Sequence, residues 1–289
     1  MPRRERGLVR DAAHRLWANR AAKVGMGIVL FFIVVGYIVA PIFVPYNPRT
    51  DRDLTARLSA PSQEHPFGTD ELGRDILTRI AHGTRISFTV GLAAVVFAFS
   101  VGTVIGLLSG YVGGQLETVA MRAMDVLLAF PALLLAIAIV AMRGPGLQNT
   151  MFALGITYIP VYARLSRASA IGIKQLDYIT AATAVGVPGY RMVLRHVLPN
   201  SLSPLIVQFT LMIATAIIET AALGFLGLGA QPPSPEWGAM LSNGYKFITV
   251  GAWWALLFPG LAIILVVTGF NLVGDGLRDA LDPRLRRAA

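Results

Sequence analysis

The sequence predicts an all-α, polytopic membrane protein with six transmembrane helices. Three observations carry that prediction. The 289 residues are 55% hydrophobic and only 14% charged, against roughly 25% charged in soluble domains. Mean hydropathy is +0.62. Uncharged runs recur at lengths that suit a bilayer, whose hydrocarbon core of about 30 Å needs about 20 apolar residues of helix.

Taken in order, the stretches that meet or approach that length are 24–44, 86–108, 118–142, 149–165, 202–226 and 252–273. The first has a long apolar run with no small-residue cleavage site and soluble sequence after it, so it reads as a retained span and not a signal peptide. The third contains Pro131, and the fourth contains Pro160 and has Arg164 near its end; a proline in either helix removes a backbone donor and favours a kink. Threading the six alternately, with the N-terminus in the cytoplasm, sets 17 of the 25 lysines and arginines on the inner side. These are Arg3, Arg4, Arg6, Arg10, Arg15, Arg20 and Lys23, then Arg122, then Arg164, Arg167, Lys174, Arg191 and Arg195, then Arg278, Arg284, Arg286 and Arg287. The positive-inside rule therefore favours both termini in the cytoplasm.

The net charge of +9 belongs to this topology and to anionic lipid headgroups before it belongs to any nucleic acid. There is no cysteine, which excludes disulfides, thiolate nucleophiles and cysteine zinc sites. No G-x-x-x-x-G-K-[ST] phosphate loop occurs, so the chain is not an ATPase by itself. The four histidines, His14, His65, His82 and His196, form no zinc motif and no hydrolase triad. The reading is non-catalytic, with no metal site.

The stretch 177–200, DYITAATAVGVPGYRMVLRHVLPN, is of another kind. Asp177 can cap a helix of about ten residues, roughly 15 Å and too short to span, with a small-residue patch of Ala181, Ala182, Val185 and Gly186. Gly186 to Gly189 force a turn. Beyond it Tyr190, Val193, Leu194, Val197 and Leu198 fall on one helical face, and Arg191 and Arg195 on the other. Two short helices of this kind form a knob under the membrane, either an interfacial helix on headgroups or a docking element for a cytoplasmic subunit.

Elsewhere Asp70, Glu71, Arg74 and Asp75 read as a solvated, locally paired helix start in preference to a divalent-cation site. Trp237, Trp253 and Trp254 fit an aromatic belt at the outer interface. Arg122 and Asp125, three apart, suit local pairing. Glu219 is the one clear acid deep in a span; it either bonds to a neighbouring helix or lines the outer part of a path. An ion-coupled secondary transporter is the competing class of reading, but it calls for inverted repeats that the sequence does not display.

The stretch 177–200 resembles the cytoplasmic EAA loop of ABC-importer permeases, in which E-A-A is followed by three residues, Gly, nine residues and I-x-L-P. Thr180, Ala181, Ala182, Gly186, His196, Leu198 and Pro199 stand at the matching positions, with Thr180 in place of Glu and His196 in place of Ile. Three further stretches, at 65–87, 219–241 and 274–286, are similar to the C-type permease subunit of the dipeptide, oligopeptide and nickel importers. The resemblance implies a type I ABC-importer transmembrane fold in a bacterial inner membrane. It divides the chain into residues 1–83 with the first span, a five-helix core at 84–275 and a cytoplasmic tail at 276–289. It also implies a coupling helix in which Asp177, Tyr178, Thr180, Ala181, Ala182, Gly186, Arg191, Arg195, His196, Leu198 and Pro199 meet an ATPase. The implied partners are a B-type permease, two ATP-binding subunits holding ATP and Mg2+, an external peptide-binding protein and membrane lipid. Peptides are the implied cargo, with nickel, glutathione and opines as alternatives.

Overall fold

The computed structural model describes residues 8–44, 47 and 51–281. Arg3, Arg4, Arg6, Arg49, Arg284, Arg286, Arg287 and the end of the stretch 274–286 lie outside them. The described residues fold into helices, with one isolated bridge between Thr69 and Asp75.

Asn19 separates α1 (Leu8–Ala18) from α2 (Arg20–Val34) and caps the latter by accepting a bond from the Ala22 N–H at 3.1 Å. α2 continues through a π turn, Val35–Val39, into α3 (Ala40–Phe43). After the segment 51–75 comes α4 (Ile76–Val112), whose first turn is capped by the Asp75 carboxylate on the Thr78 N–H at 2.7 Å. α5 (Gly114–Leu128) and α6 (Ala132–Arg143) follow, then α7 (Leu147–Lys174), the short α8 (Asp177–Ala184) and α9 (Gly189–Met192). A π turn at Val193–Val197 joins α9 to α10 (Leu198–Phe225), and α11 (Trp237–Tyr245) precedes α12 (Trp254–Leu281).

The third predicted span is not one straight helix. Its two halves, α5 and α6, meet at 87° beside Pro131, where the missing N–H and the restricted residue before proline end one helix and start the next. Pro160, in contrast, lies inside the unbroken, buried middle of α7. Among the described residues four helices are long and apolar enough to cross a membrane, and five if the bent pair is one crossing. α7 is as long as α10 but carries Arg164, Arg167 and Lys174. The second short helix of the stretch 177–200 is not separate either, because Gly189–Phe225 is one helical run. We term the end of the bundle that carries the segment 51–75 and α11 the cap end, and the end that carries α8 the loop end.

α4 and α7 form the tightest seam. Gly102, Gly106 and Gly110 repeat every fourth residue, so all three lie on one face of α4. A methyl group on Gly106 would stand 2.2 Å from the Ala163 carbonyl oxygen, so only glycine lets these backbones touch. Small residues at that spacing are how helices approach closely in lipid, where no hydrophobic force drives them together.

The cap end is densely pinned. Trp237 and Trp254 are not interfacial: both are buried, their indole N–H groups donating to the carbonyls of Ile80 and Thr69 at 3.1 Å each. Of the three expected belt residues only Trp253 is exposed. In the segment expected to be a solvated helix start, Asp70 and Arg74 are buried, and Glu71 and Asp75 are half-buried. Asp70 accepts from Arg74 Nε at 2.6 Å, with the Arg79 guanidinium 3.3 Å from the same oxygen, and Glu71 engages Arg74 at 3.2 Å. Asp70 and Glu71 are engaged by arginines, and Asp75 by its helix cap and by His65 at 3.1 Å.

Candidate functional site

The loop end presents the stretch 177–200 as a small, well-seated platform. Leu176, not Asp177, is the N-cap of α8; Asp177 is the first helical residue and caps nothing with its side chain. Its charge still sits in the first turn, where the helix dipole favours an acid. α8 ends in a Schellman motif: the Val187 N–H reaches the Ala182 carbonyl at 3.1 Å and the Gly186 N–H reaches that of Thr183 at 3.0 Å. Gly186 takes φ +84°, with open space where a side chain would project. The constraint there is conformational, since an L-residue in this region loses roughly 1–2 kcal/mol.

The platform is held from beneath by a separate apolar cluster of Leu107 from α4, Ala170 and Ile173 from α7, Ile179 from α8, and Met192, Val193 and Val197. This corrects the predicted apolar face. Val193 and Val197 are buried as expected, but Tyr190 is 66% and Leu194 60% exposed, while Met192, unassigned by the periodicity, is fully buried. The π turn at Val193–Val197 is the cause, because the extra residue in that turn shifts the phase on which a 3.6-residue period relies.

The outward surface is therefore mixed. Val185 (81% exposed), Tyr190 and Leu194 supply apolar contact, Arg191 and Arg195 are exposed beside them, and Thr180 and Ala181 lie open on α8. Ala182, His196 and Leu198 are half-buried, and Pro199 is exposed in the first turn of α10. Tyr178 and His196 stand 6.1 Å apart at the ring centroids. Asn200 ties them together, donating to the Tyr178 hydroxyl at 3.2 Å and to the His196 carbonyl at 2.6 Å. Asn200 closes the stretch but has no place in the loop pattern, so only contact geometry reveals it. Tyr111 was missed for the same reason: it backs Gly189, and Lys174 donates to its carbonyl at 2.8 Å.

Above the platform two ion pairs join α5 to α7. Arg164 meets Asp125 at 2.6 Å, and Arg167 donates to Glu117 at 2.6 Å through Nε. The expected local pair of Arg122 with Asp125 is thus replaced by one between helices. Glu219 lies far from the platform, six residues before the cap-end terminus of α10, roughly 9 Å along the axis. The buried Tyr158 of α7 donates to its Oε2 at 2.7 Å. Tyr158 carries no charge and no motif, so the sequence alone offers no signal for the pair.

The fold matches that of the MetNI methionine ABC transporter in inward-facing conformations, with a TM-score of 0.60 at 19% identity over 72% of this chain and 98% of that one. It is the transmembrane fold of an ABC importer. Residues 102–287 match the family of binding-protein-dependent transport system inner membrane components, and residues 7–61 match the N-terminal transmembrane domain of oligopeptide transport permease C. The chain is 50% identical to the dipeptide transport system permease protein DppC of Alkalihalophilus pseudofirmus, covering 96% of this chain and 90% of that one. It is 46% identical to the di/tripeptide transport system permease protein DppC of Pseudomonas aeruginosa (94% and 92%). It is also 43% identical to the glutathione transport system permease protein GsiD of Pectobacterium atrosepticum (94% and 90%). The chain belongs to the binding-protein-dependent inner membrane component family, as a C-type permease subunit of the dipeptide and oligopeptide ABC importers. It is an integral protein of the bacterial inner membrane and is not catalytic alone.

Proposed function

We propose that this subunit imports di- or oligopeptides, enclosing a path with a B-type permease while two ATPases, carrying ATP and Mg2+, engage the platform at 177–200. An external binding protein delivers the peptide. The observation that carries this reading is the platform itself: a helix too short to cross lipid, with Val185, Tyr190 and Leu194 exposed around two arginines, on a dedicated apolar seat. Apolar anchors beside Arg are the usual composition of a protein-docking surface. The short seat and the unbroken run from Gly189 into α10 suit a rigid lever, through which closure of the ATPases rocks the spans between inward and outward access. Peptide cargo is supported by the names of the relatives, and the glutathione relative keeps that tripeptide as an alternative cargo.

Six spans, cytoplasmic termini and the division at 83/84 and 275/276 belong to the same reading. α7 completes the count, its positive residues gathering at the loop end with α8, and the N- and C-terminal helices meet at that end, where Gly276 packs against Ala22. The reading is tested by Gly186→Trp in the assembled transporter. We expect the chain to insert normally and ATP hydrolysis to lose its coupling to peptide uptake. Unchanged ATPase association and unchanged uptake would contradict the assignment.

A further inference from the structure

The polar residues of α10 are not all sorted into the bundle. Gln208, Thr215 and Glu219 fall on its incompletely covered side, seven and four residues apart, which places them in one stripe along the helix. Glu219 is half-buried, and its Oε2 is fixed by Tyr158 at 2.7 Å. Among the described residues no lysine or arginine is in ion-pair range of it, and Oε1 is neither bonded nor buried. A carboxylate facing hydrocarbon is strongly unfavourable, so a stripe ending in one faces water or a partner of opposite charge.

We infer that this stripe lines the translocation path and that Glu219 binds the α-ammonium group of the transported peptide, with Tyr158 as the residue that orients its carboxylate. The inference rests on the reading of the chain as a peptide permease. The ammonium is the one cationic group shared by a dipeptide, a tripeptide and glutathione, whatever their side chains. A negative site with a single neutral donor accepts that group without selecting length or sequence. The bond from Tyr158 leaves one carboxylate oxygen for the cargo and holds the other still, so the site does not have to order itself at each passage.

The absence of cysteine gives a direct test. Thr215→Cys, one turn from Glu219 and exposed, places a single reporter thiol in this subunit of the fully assembled importer in lipid nanodiscs. Ammonium-bearing and sulfonate-bearing methanethiosulfonates of similar size are compared, each normalised to its rate with a free thiol. We expect labelling of this chain with a preference of about tenfold or more for the cation, as a nearby unit charge produces in a partly aqueous site. A second change, Glu219→Gln, keeps an oxygen for Tyr158 and should abolish the preference while the complex stays assembled. Saturating alanyl-alanine should slow the labelling. Failure of both reagents to reach the thiol would overturn the inference in favour of a lipid or permease–permease contact. A cation preference that survives Glu219→Gln would overturn it in favour of another charge. A preference that depends on Glu219, with protection by Ni2+ and none by the dipeptide, would keep the acidic site and overturn the peptide reading beneath it.

Discussion

The two ends of the bundle are built on opposite principles. At the cap end, indoles donate to backbone carbonyls and an Asp70–Arg74–Arg79 cluster is buried between the segment 51–75 and the start of α4. At the loop end, a thin apolar seat supports a surface left largely open. Buried charge clusters and tryptophan hydrogen bonds make the cap end brittle, since each group depends on its partner. The loop end tolerates change in stability and concentrates its sensitivity in what it touches. Under the proposed function, the cap end is the fixed frame and the loop end the handle.

Substitutions break or sharpen that contrast in a definite order. Asp70→Ala removes the buried carboxylate that Arg74 and Arg79 share, and removing one partner of such a set costs about 3–5 kcal/mol; thermal unfolding of the purified protein in detergent should show the largest loss here. Met192→Ala empties the centre of the platform seat, for which about 2–4 kcal/mol is expected. The readout is proteolysis of the stretch 177–200, which should accelerate while the cap end stays protected. A uniform loss of protection at both ends would contradict the separation between them.

Glu236 gives the cap end a pH dependence. It is fully buried, and burial pushes its carboxyl up to about 7, against the pull of the bonds it accepts from the Gly238 and Ala239 N–H groups at the start of α11. A carboxyl raised in the folded state favours folding most below its unfolded value near 4.5, and that contribution is lost as pH rises through about 7. Unfolding temperature should therefore fall between pH 5 and pH 8 by more in the native chain than in Glu236→Ala. Equal slopes would place the sensitivity elsewhere. Gly186→Ala is smaller again, about 1 kcal/mol from the left-handed backbone, read as a modest drop in the same melt. Leu194→Asp should change stability by less than about 0.5 kcal/mol, as exposed substitutions do, yet abolish co-purification of the ATPase subunits.

The legibility of the molecule follows the same contrast. The spans and the platform were readable because hydropathy and a spaced motif are local properties: Gly186 lies at the C′ position that its turn requires, and Arg191 and Arg195 are exposed as their helical spacing implies. The cap end was misread because its contacts are remote in sequence. Trp237 meets Ile80, and Trp254 meets Thr69, pairings that no local pattern announces, so both tryptophans looked interfacial. The α4 glycines at 102, 106 and 110 were an available signal, a four-residue repeat in an apolar helix, that went unused. Tyr190 and Leu194 were misassigned and Met192 left out because a π turn at Val193–Val197 breaks the period along this run. Glu219 was visible as a lone acid, but its orientation depends on Tyr158, sixty-one residues away.

The central claim is that the platform at 177–200 is the ATPase socket, and a photo-crosslinking residue at Val185, its most exposed apolar position, tests it most directly. In membranes holding the whole importer, illumination should join this chain to an ATP-binding subunit. An intact, transporting complex in which position 185 crosslinks to lipid, or to nothing, would contradict it.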